Sequence, residues 1–119
     1  MINVVNAPID ELDVSPEEEL AVVSTAFAAL GSEVRLAIVM RLVRAEPNGM
    51  ATGKLGDAVG LSGSVLTHHL KHLKVAGLVF EERRGRQIIL HADTKLIADL
   101  SDFMLAECCL DQSVERLHG

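Results

Sequence analysis

Residues 61–79 read Leu-Ser-Gly-Ser-Val-Leu-Thr-His-His-Leu-Lys-His-Leu-Lys-Val-Ala-Gly-Leu-Val, and few structures suit such a stretch. Leu66, Leu70 and Leu73 recur at helical spacing and make one apolar stripe. Ser64, Thr67, His68, Lys71 and Lys74 fall on the polar side. Ser62 is expected to cap the helix, its hydroxyl accepting an orphan backbone N–H. Ala76-Gly77-Leu78 is a stop signal: Gly77 can turn left-handed and Leu78 can fold back onto the helix. Hydroxyl, imidazole and ammonium groups on the open side suit phosphate oxygens and base edges. A solvated amphipathic helix reads the same way, so the neighbouring segments decide.

Before this helix, residues 51–59 predict a shorter one, and Gly60-Leu61 a tight turn. Two helices joined so closely make a helix-turn-helix, whose second helix enters a major groove. After it, residues 78–83 and 87–91 are strand-like, with Arg84-Gly85-Arg86 as a hairpin tip. A basic tip beside such a helix is a wing. Arg83, Arg84 and Arg86 place three arginines within four residues, more than solubility requires.

These residues resemble the ArsR/SmtB-type winged-helix repressors. The resemblance is carried by Phe27-Ala28-Ala29-Leu30-Gly31-Ser32-Glu33-Val34-Arg35-Leu36-Ala37-Ile38, by Ser62 through Val79, and by the Arg-Gly-Arg wing. It spans about residues 20–109. It implies a homodimer that represses its own operon and leaves DNA when a metal, metalloid or other inducer binds. The fold expected is mainly α with a two-stranded β-wing, a winged helix-turn-helix homodimer on near-palindromic double-stranded DNA. Ser62, Ser64, Thr67, His68 and Lys71 are the expected contacts from the helix; Arg83, Arg84 and Arg86 are those from the wing.

Net charge is −6, which at first opposes a polyanionic partner. Its distribution answers the objection. Residues 1–20 hold Asp10, Glu11, Asp13, Glu17, Glu18 and Glu19 without Lys or Arg, so the remainder sums to zero. Residues 62–86 carry a local +3, and the local field governs phosphate binding. The chain of 119 residues, 49% hydrophobic with only 3% aromatic, fits one domain of small helices completed by a dimer contact. The divisions expected are an acidic segment over 1–15, the winged domain with its terminal dimerisation helices over 16–109, and a tail over 110–119. No apolar run reaches spanning length and no signal peptide is evident. Two cysteines in such a chain favour a reducing cytoplasm.

The flanking helices follow from local signals. Ser15-Pro16-Glu17-Glu18 predicts a capping box and a helix to about Leu30. Its apolar residues, Leu20, Val22, Val23, Ala26, Phe27 and Leu30, cover more than one face, as a helix does that serves its own core and a partner. Ser32 caps a helix to about Arg44, with Val34, Leu36, Ile38, Val39 and Leu42 as core contacts and Arg35 as a surface or ion-pair residue. Asn48-Gly49 marks a turn. Asp93 caps a last helix to about Cys108, expected beside the first helix at the dimer axis.

Cys108 and Cys109 are the only cysteines and they are adjacent. Adjacent helical residues point about 100° apart, so one ion takes both thiolates only where the helix end opens. Thiolates select thiophilic species, and the donors for a four-coordinate zinc site are missing. The resemblance adds a direction: arsenic-responsive members carry a Cys-Cys pair at this helix end. Arsenite takes three thiolates in such sites, whereas this chain has two, which suits methylarsenite or another mono-organyl arsenical. Trivalent arsenic is therefore the expected inducer, with no cofactor needed for DNA binding. The alternative is redox or persulfide sensing by the same pair, although an adjacent disulfide is strained. A thiol-based arsenical carrier, or a protein-binding module without DNA, is the alternative of another class. His68 and His72 stand at i, i+4 spacing, which can hold a metal, although a DNA-facing His68 is the simpler reading. No catalytic constellation is evident, so an enzyme is not expected.

Overall fold

The computed structural model describes residues 15–109, with side chains through Glu107. The order is α1 (Pro16–Leu30), α2 (Glu33–Ala45), β1 (Met50–Ala51), α3 (Thr52–Val59), α4 (Gly63–Val75), β2 (Val79–Arg84), β3 (Gln87–Ala92) and α5 (Thr94–Met104). The expected segment 1–15, except its last residue, and the tail 110–119 lie outside the described residues.

Local chemistry sets the helix ends. The Glu18 N–H donates to Ser15 Oγ at 3.1 Å, and the Ser15 N–H donates to Glu18 Oε2 at 2.9 Å, which completes the expected capping box. Ser32 accepts from the Arg35 N–H and Asp93 from the Leu96 N–H. Arg35 makes no ion pair among the described residues; its Nε donates to the Ala29 carbonyl at 2.7 Å, closing the C-terminal end of α1. Helix α4 stops as its sequence requires. Gly77 has φ +81°, its N–H donates to the Lys74 carbonyl, and the Leu78 N–H donates to the Leu73 carbonyl.

The wing has a third strand that periodicity did not reveal. The sheet order is β1-β3-β2, all antiparallel, with Met50 opposite Leu90 and Ala51 opposite Ile89. Two residues are too few to show alternation, which is why β1 escapes a sequence reading. In the hairpin, Arg84 faces Gln87 across a two-residue turn. Gly85 has φ +63° and, among the described residues, no non-glycine residue has positive φ, the signs of a II′ turn matched to strand twist.

One core joins all five helices to the base of the wing. Ile38, Leu42, Leu55, Leu73, Leu78, Leu90 and Leu96 are fully buried. Two expected core contacts lie elsewhere: Val34 and Leu36 are exposed, while Ile38, Val39 and Leu42 carry the inner face of α2. At 100° per residue one face cannot include all five. Leu36 instead lines an apolar groove with Met40 and Val43. In α1, Val23, Ala26 and Ala29 face inward, while Leu20 and Phe27 are exposed. The last helix keeps α geometry only to Met104; Leu105–Cys109 form a π turn rather than the α-helix expected to about Cys108. Among the described residues no single helix is long and apolar enough to cross a membrane.

Candidate nucleic-acid interface

The orientation of α4 follows from its stripe. Leu66, Leu70 and Leu73 are buried, which turns Ser62, Ser64, Thr67, His68 and Lys71 outward. Helix α3 seats against it through Gly56, where an added Cβ would come within 3.4 Å of Leu66 Cδ2. Gly60, with φ +70°, makes the turn between the two helices.

The expected DNA-facing residues differ in what they have left to offer. Ser62 occupies the N-cap position with extended φ and ψ, but its hydroxyl makes no capping bond. That corrects the expected cap, and the hydroxyl, without a hydrogen-bond partner among the described residues, stands at a helix N-terminus, where anions are favoured. The Thr67 hydroxyl donates to the Gly63 carbonyl at 2.8 Å. Its proton is thereby committed, and its methyl group and oxygen lone pairs remain. His68 stands edge-on to His72, ring centroids 4.9 Å apart. Ser64 and Lys71 are exposed with no partner among the described residues.

The wing arginines are not equivalent. Arg84 bonds Glu82 twice, Nη2 to Oε1 at 2.7 Å and Nε to Oε2 at 3.2 Å, and also donates to the Asn48 carbonyl at 3.3 Å. Arg83 and Arg86 are exposed and have no ion-pair partner among the described residues. Lys74 pairs with Glu81. The two acids of this stretch are thus each matched to a base, which leaves its net positive charge on Lys71, Arg83 and Arg86.

A buried polar network under the wing was not legible in the sequence. His91 is 7% exposed and lies between two carboxylates. Its Nδ1 is 3.0 Å from both Glu46 oxygens, and its Nε2 is 2.7 Å from Glu82 Oε1. Glu46 Oε2 also accepts from the Ala92 N–H at 3.2 Å. Burial pushes the His91 imidazole down, but the hydrogen bonds to Glu82 and Glu46 prevail and raise its pKa. Hydrogen bonds from Arg84, then from His91, hold the Glu82 carboxyl below its ordinary range. Phe80 stacks on the His91 ring at 5.1 Å. The network ties the α2–β1 loop to both wing strands. Glu46 and His91 are 45 positions apart, so no local pattern announces them.

Among the described residues no three His, Cys, Asp or Glu side chains gather as a metal site. The His68–His72 pair therefore gains no third donor there. The thiols of Cys108 and Cys109 lie outside the described side chains.

A helix-turn-helix with a basic two-stranded arm defines the class: a winged-helix protein of the nucleic-acid-binding type. A helix-turn-helix domain family matches residues 30–81. The chain is 33% identical over 96 residues to the HTH-type transcriptional repressor SmtB of Mycobacterium tuberculosis, covering 81% of this chain. It spans 63% of the length of that relative. It is 34% identical over 90 residues to the nodulation protein NolR of Rhizobium meliloti, covering 71% of this chain and 70% of NolR. Its fold matches the homodimeric winged helix-turn-helix DNA-binding domain Mb0332 of Mycobacterium bovis, described as a possible ArsR-family regulator. That match has a TM-score of 0.61 at 23% identity and covers 90% of this chain and 96% of that domain. The chain belongs to the ArsR/SmtB family of winged helix-turn-helix transcriptional regulators.

Proposed function

We propose that the chain is a homodimeric repressor that binds operator DNA through α4 and the wing. The observation that carries this reading is the joint presentation of Ser62, Ser64, Thr67, His68 and Lys71 on one exposed helix face, beside Arg83 and Arg86 with their charges unpaired among the described residues. Lys71 and the wing arginines supply the salt-dependent phosphate term; Thr67 and His68 read base edges. Dimerisation is supported by apolar side chains left outside the core on the terminal helices: Leu20 is 62% exposed, and Phe27 and Met104 are also exposed. Two recognition helices related by a two-fold axis meet successive major grooves about 34 Å apart.

The inducer in this reading is trivalent arsenic bound by Cys108 and Cys109, methylarsenite in preference to arsenite because two thiolates satisfy the two valences that carbon leaves free. Support comes from the chemistry of adjacent thiols and from the departure of Leu105–Cys109 from α geometry next to a dimer helix. A ligand that remodels that turn would act on the dimer contact. The experiment is fluorescence anisotropy of the reduced protein on its own upstream DNA, titrated with methylarsenite, arsenite, zinc and a persulfide donor. Release by methylarsenite at the lowest dose, lost in Cys108→Ser and Cys109→Ser, is expected. Release by the persulfide donor alone transfers the pair to sulfur sensing. DNA retention with all four removes the thiol site, and absence of DNA binding removes the repressor.

A further inference from the structure

Between α1, α2 and α4 lies a cleft of about 480 Å³ that the repressor reading leaves unexplained. Its basic lining is Arg35 from α2 with His68, Lys71 and His72 from α4, and Thr25 of α1 adds a hydroxyl. None of these four pairs with a carboxylate among the described residues. Among the described residues no acidic side chain lines the cleft. Arg35 is fixed by its bonds to the Ala29 and Ala28 carbonyls, and its guanidinium keeps further N–H donors beyond those two. On the same helix, burial first and then the nearby Arg35, His68 and His72 push the His69 imidazole pKa down.

The rest of the lining is apolar or small, including Ala28, Ala29 and Val75. A second groove of about 220 Å³ shares Thr25, Val75 and Ala76 with it and adds Ala21 and Val22. The unpaired charges of Arg35 and Lys71, with a lining otherwise rich in methyl groups, suit an amphiphile with one negative head. The size matches a small-molecule site. An inorganic anion would leave the apolar part empty.

We infer that this cleft binds a small organic carboxylate, an arene or medium-chain acid whose head meets Arg35 and Lys71 and whose body lies along α1. Arg35 offers planar, charge-assisted donors to the carboxylate, and Lys71 adds a point charge. His68 and Lys71 also belong to the face assigned to DNA, so an occupied cleft covers His68 and neutralises Lys71, a cation that the operator uses. That last consequence rests on the repressor reading; the binding itself does not.

The test is an NMR titration of the full-length protein, following the histidine ring signals with benzoate, octanoate, benzamide and inorganic phosphate. Saturable shifts at His68 and His72 with the two acids, and none at His91, are expected. Benzamide should produce no such shift, and Lys71→Gln should weaken the acids by about tenfold. Equal shifts from benzamide or phosphate, or no saturation, overturn the site. A response seen only after Asp10, Glu11 and Asp13 are changed to their amides means that the chain's own carboxylates fill the cleft, which also overturns it. The second arm measures operator affinity by anisotropy. Benzoate should weaken the wild-type complex, while Arg35→Gln, which lies outside the face assigned to DNA, should keep DNA binding and lose that response. Ring shifts without any DNA binding would remove the repressor and leave the carboxylate site standing.

Discussion

His91 shows how one residue can hold a wing to its domain. Both ring nitrogens face carboxylates, the arrangement of an imidazolium donating twice. Its raised pKa gives stability that is complete below the ordinary value of 6.5 and is lost as pH rises through the raised one. Glu82 has a lowered pKa, so its contribution is present above 4.5 and is lost as pH falls through the lowered value. The wing is therefore held best between those limits. His91→Gln should cost about 1 kcal/mol, the net worth of an ordinary hydrogen bond, because Glu46 keeps the Ala92 N–H and Glu82 keeps Arg84. It should also flatten the alkaline decline in thermal midpoint; an unchanged alkaline limb would show that the network is not the titrating element. On the recognition helix, Thr67→Val and His68→Ala should change the preference among operator sequences, whereas Arg86→Ala should weaken all of them alike. Binding-site selection on each variant separates the two, and uniform loss for Thr67→Val would remove its base contact.

At the scale of elements, glycines with positive φ set the connections, and their surroundings rank them. A Cβ on Gly60 would meet nothing within 4 Å, so Gly60→Ala carries only the left-handed penalty, about 1–2 kcal/mol. A Cβ on Gly49 would lie 2.6 Å from Ile89 Cγ2, 2.7 Å from His91 Cε1 and 2.8 Å from the Leu90 carbonyl oxygen. Gly49→Ala should therefore cost clearly more in urea unfolding and should disturb the β1–β3 contact; equal costs would contradict the close packing of that loop. The helices were legible because their signals are local: Ser15 and Glu18, the leucines of α4, and Gly77 each act within a few residues. The two-residue β1 and the Glu46–His91 contact were not, because pairing over that separation leaves no period in the chain. The candidate site was legible in part. Exposure of Ser64 and Lys71 follows from the leucine stripe, but the turning of Arg84 onto Glu82 and the freeing of the Ser62 hydroxyl depend on rotamers that spacing does not encode.

For the whole molecule, a net charge of −6 and an affinity for DNA are compatible because α4 and the wing carry Lys71, Arg83 and Arg86 without ion-pair partners among the described residues. Paired Lys74 and Arg84 contribute less to the field. The dimer needed for a palindromic site should rest on the outward face of α1, so Leu20→Glu should give a monomer in sedimentation and weaken operator binding; a persisting dimer would place the interface elsewhere. The central claim is that this surface neutralises DNA phosphates, and its most direct test is the salt dependence of operator binding by anisotropy. The account predicts a steep linear fall of log affinity with log salt, shallower by about two units in Lys71→Gln or Arg86→Gln, since a dimer loses each contact twice. Lys74→Gln should change the slope far less. An affinity that ignores salt, or slopes unchanged by Lys71→Gln and Arg86→Gln, would contradict it.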